Sequence, residues 1–182
     1  MPGKIAFFDM DGTVLAPYFR NPDGTDVRIG YPAGEWQSVF DGEGRDYMSC
    51  IQVQPVVEYA RQLKADGAEC HILTCCHSDG ERKAKRAWFE SAKCPKDIFS
   101  HIMFTESMDG KIEAVKALAG LQTIELSDCL IIDDDLMFCI NARNAGIPAV
   151  HVSHVLVRSK IPHPEAVFPF GTAVIAKEAA KC

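Results

Sequence analysis

The sequence contains no apolar run approaching the ~20 residues that a membrane-spanning helix requires. Its 13 glycines and 10 prolines among 182 residues fall well short of the ~25–30% expected of low-complexity chains. None of its eight cysteines forms a C-x-x-C pair, so neither a zinc knuckle nor a thioredoxin-type site is indicated. Eight are also too few for a disulfide scaffold, in which ~8–10% of residues are cysteine. Cys70, Cys129 and Cys139 sit in apolar segments, where a free thiol acts as a small hydrophobe. Basic residues are in the minority. With 19 of them against 25 acidic ones, the net charge of −6 opposes non-specific nucleic-acid binding. Met1-Pro2-Gly3-Lys4 leads straight into a strand-like segment rather than a long apolar leader. The expectation is therefore a protein without a secretory signal or membrane partner, resident in the reducing cytoplasm.

What is present is an ordinary globular composition, 47% hydrophobic and 24% charged, of a length suited to one domain over 1–182. Short apolar runs recur without alternation at 5–8, 71–74, 102–105, 130–133 and 149–152, as strands buried on both faces would. Helical patterns fall between them. One starts at Pro55 and stops at Gly67; one from about Glu81 to Ala92 is capped by Ser78-Asp79. A third carries Ile112, Val115 and Leu118 before Gly120, and a fourth runs from Phe138 to Ala145. This alternation predicts an α/β fold, a doubly wound Rossmann-like parallel sheet with helices on both faces. One stretch interrupts it. From about residue 16 to 50 the chain is rich in proline and glycine without periodicity, yet holds six aromatic residues including Tyr18, Trp36 and Tyr47. We read it as an ordered flap inserted after the first strand, over one end of the sheet; its aromatics either staple it to the core or, with an arginine, line the entrance to the site, Tyr18, Arg20 and Trp36 being the candidates.

The chemistry-bearing residues cluster at predicted strand ends, where open α/β sheets place ligands. Asp9-Met10-Asp11-Gly12-Thr13 follows the first strand, and its two acids can enter one crevice. Thr74 closes the second central strand with a hydroxyl able to donate to a phosphate oxygen. Lys111 stands near a helix start, where a cation is disfavoured unless it faces an anion. Asp133-Asp134-Asp135 follows Leu130-Ile131-Ile132, and three adjacent acids repel one another unless a cation relieves them. Mg²⁺ suits such hard oxygen ligands. Taken singly, each has a bland counterpart: a turn, a strand-closing threonine, a surface lysine, a solvated acidic loop.

In combination, Phe7-Phe8-Asp9-Met10-Asp11-Gly12-Thr13-Val14, Thr74, Lys111 and Leu130-Ile131-Ile132-Asp133-Asp134 resemble the haloacid dehalogenase superfamily, in its phosphatase branch. The resemblance covers residues 5 to about 152 and is most specific at its first and last motifs. It implies that Asp9 takes the phosphoryl group, that Asp11 protonates the leaving oxygen and then activates water, and that Thr74 and Lys111 hold the phosphate. It implies Mg²⁺ bound by Asp9, the main-chain carbonyl of Asp11 and Asp134, with Asp133 in or near the outer shell. The short insertion resembles the minimal-cap type, whose open sites serve bulky phosphorylated substrates or are covered by a second copy in a homo-oligomer. The substrate itself is not legible. Phosphotransfer or phosphomutase activity would use the same residues, and a silent phosphate-binding domain would keep the fold. A receiver-like signalling domain would place its paired acids after the first strand and its lysine last, an order this chain does not follow.

Overall fold

A computed structural model of the protein describes residues 3–16, 18–20, 27–29 and 47–158. Strands β1 (Lys4–Phe8), β2 (Leu15–Ala16), β3 (Tyr18–Arg20), β4 (Val27–Ile29) and β5 (Ile51–Gln52) precede the first helix, α1 (Gln54–Ala65). There follow β6 (Ala68–Cys75), α2 (Asp79–Glu90), β7 (Phe99–Thr105), α3 (Met108–Gln122), β8 (Cys129–Asp133), α4 (Leu136–Asn144), β9 (Ala149–His151) and α5 (Val152–Arg158). Five strands form one sheet in the order β7-β6-β1-β8-β9, and every pairing in it is parallel. Each of the five apolar runs read from the sequence is one of these strands. The apolar pattern carries the last strand to Val152, whereas in the structure the strand stops at His151 and Val152 begins α5.

The sheet is doubly wound because β1 buries both faces. Ala6 and Phe8 point into one apolar layer, with Val56, Val57 and Ala60 of α1, Trp88 of α2, and Val155 and Leu156 of α5. Ile5 and Phe7 point into the other, with Ile112, Val115 and Ala119 of α3 and Phe138, Cys139 and Ala142 of α4. Cys70, Cys129 and Cys139 are buried in these layers, as small hydrophobes should be. The helix starts are made by side chains: Ser78 accepts from the Glu81 amide at 3.1 Å, and Ser107 from the Gly110 amide at 3.1 Å. Among the described residues, no helix is long and apolar enough to cross a membrane.

Register positions the chemistry. Phe8 lies level with Ile72 on one side and Ile132 on the other, so β1 and β8 end within a residue of each other while β6 runs on to Cys75. The chain order reverses between β1 and β8, which makes their carboxyl ends the topological switch point. The flap begins and ends here too. β2 pairs antiparallel with β5, Leu15 opposite Gln52 and Ala16 opposite Ile51, so the excursion leaves and returns side by side. Within it, β3 and β4 pair antiparallel. Tyr31, Trp36 and Phe40, and the side chains of Tyr18, Phe19 and Arg20, lie outside the described residues. Tyr47 is described and is buried, packed into the core rather than exposed at the cleft entrance.

One buried polar group is at odds with its surroundings. His71, in the middle of β6, is 1% exposed, stacks on His101 at 5.3 Å, and neither ring nitrogen makes a hydrogen bond among the described residues. Burial pushes its imidazole below the ordinary value; Glu69 opposes this and His101 adds to it. The unfolded chain therefore takes up a proton before the folded one does. Stability from this site is present above the ordinary histidine value of about 6.5 and is lost as pH falls below it. His71→Phe should accordingly raise the melting temperature more at pH 5 than at pH 8. Melting curves at the two pH values check this, and an equal shift at both would refute it.

Candidate active site

The turn after β1 is built to carry two carboxylates over the sheet edge. The Asp9 amide still bonds the Ile132 carbonyl at 2.9 Å, which extends the β1–β8 ladder by one rung. The chain then folds back: Val14 donates to the Asp9 carbonyl at 3.3 Å and Leu15 to that of Met10 at 2.8 Å, while Met10, Val14 and Leu15 enter the core. Gly12 makes the turn possible. Its φ is +75°, and a Cβ there would stand 2.2 Å from Oδ2 of Asp134. The absent side chain is the space into which Asp134 fits.

Lys111, in the first turn of α3, is 2% exposed and bridges the ends of the two central strands. Its Nζ lies 2.6 Å from Oδ1 of Asp9 and 2.8 Å from Oδ2 of Asp133. Burial alone would push the ammonium down, but Asp9 and Asp133 outweigh it and hold the group firmly charged. The disfavoured position of a lysine at a helix start is thus explained by the anions it faces.

The acidic triplet is divided among three tasks. Asp133 is buried, with one oxygen on Lys111 and the other accepting the Asp135 amide at 2.9 Å. Asp135 caps α4, accepting from the Phe138 amide at 2.9 Å. Asp134 turns toward Asp9. Its main-chain carbonyl lies 2.8 Å from Nε2 of His151, and Thr13 Oγ1 approaches its carboxylate at 3.5 Å. Carboxylate oxygens of Asp9, Asp133 and Asp134 lie within 4.8 Å of one another. Burial, then the neighbouring carboxylates, raise Asp134 well above the ordinary range. Burial likewise carries Asp9 up to about 7, with Asp133 and Asp11 adding to it and Lys111 opposing. Three carboxylates crowded this closely are a donor set that a small hard cation fits.

A second lysine went unread in the sequence. Lys85, on α2, is 1% exposed, and its Nζ lies 2.7 Å from Oδ2 of Asp11, 2.9 Å from Oε1 of Glu81 and 2.8 Å from Oγ1 of Thr74. It also meets the Cys75 carbonyl at 2.5 Å. The sequence held a usable sign. Glu81, Lys85 and Trp88 recur at i, i+4 and i+7, and a tryptophan marks the inward face of a helix.

These groups surround an open cleft of about 430 Å³ at the switch point, lined by Asp9, Asp11, Thr74, Lys85, Lys111 and Asp134 among others. The residues singled out in the sequence, Asp9, Asp11, Thr74, Lys111, Asp133 and Asp134, therefore converge. His77 also lines the cleft, and its amide donates to Glu81 at 2.8 Å. Cys75 lines the cleft and Cys76 is buried, with burial raising both thiols, so this pair packs as a strand end rather than presenting thiolates.

No protein-family profile and no curated protein matches this chain. Solved structures do. An uncharacterized protein from Listeria monocytogenes serotype 4b is 16% identical with a TM-score of 0.52, covering 98% of this chain and 99% of its own. A putative phosphoglycolate phosphatase from Lactobacillus delbrueckii is 14% identical with a TM-score of 0.50, covering 83% of this chain and 86% of its own. A HAD family hydrolase from Deinococcus radiodurans is 16% identical with a TM-score of 0.50, covering 82% and 80%. The fold is that of the haloacid dehalogenase hydrolases. Against a longer chain, the N-terminal part of a Bacteroides fragilis protein containing a phosphatase domain, this protein spans 39% of the length.

The Lys111 bridge makes a testable demand on stability. Removing one partner of a buried ion pair leaves an uncompensated charge and typically costs ~3–5 kcal/mol. Lys111→Met should lose stability on that scale in urea unfolding, and adding Asp133→Asn should recover part of it. A Lys111→Met protein as stable as the wild type would show that the bridge does not organise the strand ends.

Proposed function

We propose that this protein is a Mg²⁺-dependent phosphomonoester hydrolase working through an aspartyl-phosphate on Asp9. The observation that carries the reading is Asp9 itself: a buried carboxylate at the switch point, held by a buried lysine and facing a cleft with a second carboxylate two residues on. The Deinococcus radiodurans hydrolase of the same fold was crystallised with bound phosphate and sodium, which supports phosphate as a ligand of this fold.

An oxygen of Asp9 attacks the substrate phosphorus and the bond to the leaving oxygen breaks, with Asp11 supplying the proton that oxygen needs. Water then attacks the phosphorus of the aspartyl-phosphate and gives its proton to Asp11, and the bond to Asp9 breaks to release inorganic phosphate. Acid–base help of this kind is worth roughly 10²–10⁴-fold. Lys111 has three N–H donors and two carboxylate acceptors among the described residues, so one donor remains for a phosphate oxygen. Thr74 accepts from Lys85, which leaves its own proton for a phosphate oxygen in place of the long 3.3 Å contact to the Cys75 carbonyl. Asp9 and Asp134, with the main-chain carbonyl of Asp11, would hold Mg²⁺, while Asp133 would steady Lys111 from behind. When bound, Mg²⁺ supplies the positive charge that lets a carboxylate approach a phosphate dianion.

Phosphate release from small phosphomonoesters, with and without Mg²⁺, tests this. Asp9→Asn is isosteric and should fold normally but lose kcat by about 10⁴-fold or more. Asp134→Asn should raise the Mg²⁺ concentration for half-maximal activity roughly tenfold or more. Substantial turnover by folded Asp9→Asn would remove it from the nucleophile role, and full activity after exhaustive chelation would remove the metal.

A further inference from the structure

Lys85 is a buried charge without an assigned role, and its geometry says which kind of role it has. An ammonium has three N–H donors. Around Nζ stand four acceptors: Asp11 Oδ2 at 2.7 Å, Glu81 Oε1 at 2.9 Å, Thr74 Oγ1 at 2.8 Å and the Cys75 carbonyl at 2.5 Å. No donor is left over for a phosphate, in contrast to Lys111. Lys85 thus grips the groups that would meet the substrate. Its own position is fixed in turn. Glu81 is one helical turn back on α2, is 5% exposed, and accepts the His77 amide at 2.8 Å. Tyr47, where the flap returns to the sheet, places its hydroxyl 3.4 Å from Glu81 Oε1 and 3.5 Å from Asp11 Oδ2, with its ring 5.7 Å from Lys85 Nζ. These three elements, the β1 turn, α2 and the flap's return, meet at one nitrogen.

We propose that Lys85 is the positioning residue of the site, fixing the Asp11 carboxyl and the Thr74 hydroxyl in one arrangement, with Glu81 and Tyr47 as its frame. The inference rests on the phosphatase reading above. Two carboxylates serve that reaction, and a different lysine meets each: Lys111 holds Asp9 and Lys85 holds Asp11. Because both Lys85 and Tyr47 engage Oδ2 of Asp11, they set the plane of that carboxyl group. Its proton is thereby aimed at a leaving oxygen whose position Thr74 helps to define through the phosphate.

The experiment compares two substrates whose leaving groups differ in need of a proton: 4-nitrophenyl phosphate, which departs as a stable anion, and a simple alkyl phosphate, which does not. The quantity is kcat/KM, which covers events up to departure of the leaving group. Lys85→Met should lose roughly 10–100-fold on the alkyl phosphate and no more than about threefold on 4-nitrophenyl phosphate. Half-saturating Mg²⁺ should stay unchanged. Since Lys85→Met removes the ammonium that balances the buried Glu81 charge, the charge-balanced Lys85→Met, Glu81→Gln protein is measured alongside and should show the same selectivity. Equal losses on both substrates, accompanied by a lowered melting temperature, would make Lys85 a merely structural ion and overturn the proposal. So would wild-type rates in either variant. A wild-type protein releasing no phosphate from either substrate with Mg²⁺ would overturn the phosphatase reading and this inference with it.

Discussion

The site depends on one ammonium group placed between two strand ends. In a parallel sheet buried on both faces, the ends of β1 and β8 lie side by side, and each carries a carboxylate at its last position or the next. Two such charges cannot share that space in the absence of a counter-charge. Lys111 supplies it from α3, reaching Asp9 and Asp133 together. The need to seat this lysine fixes where α3 starts relative to the sheet, and with it the wall of the cleft. Asp134 and Gly12 then follow as steric complements of one another.

The acids of the site are not a uniform negative patch but a sorted set. Asp133 and Asp135 have their oxygens occupied by Lys111 and by main-chain amides, Asp11 lies against Lys85, and Asp134 faces Asp9. Such sorting is how a buried polar cluster becomes rigid: the more partners are specified, the fewer alternative arrangements compete. A site that is arranged before its ligand arrives loses little in reorganising when charge develops.

Much of this was legible in the sequence, and the parts that were not share a cause. The five strands could be read because strands buried on both faces are continuous apolar runs, and Asp9, Lys111, Asp133 and Asp134 because they sit at the ends of such runs or open the next helix. Lys85 and Glu81 were passed over because a charged helix normally presents its charges to water, and only the shared face with Trp88 distinguishes them. Nothing local marks His151 as the holder of the Asp134 carbonyl, since that contact is made across two strands by tertiary packing. Tyr47 was one aromatic among six; its contact with Asp11 and Glu81 depends on the return path of the flap, which carries no period to read.

The pairing of β2 with β5 separates two evolutionary fates within one chain. Because Ala16 lies opposite Ile51, the chain leaves and returns through a short ladder of its own, outside the five-stranded sheet. Lengthening or shortening such a loop changes closure entropy only slowly, by about 0.6 kcal/mol for each doubling. A change of length in the excursion is therefore expected to be tolerated better than a change at the strand ends. Tyr47, where the described part of the return begins, has its hydroxyl in the Asp11 network and must be kept in any exchange. Relatives of this protein can be expected to diverge fastest between Ala16 and Tyr47 and to change sharply to conservatism beyond it.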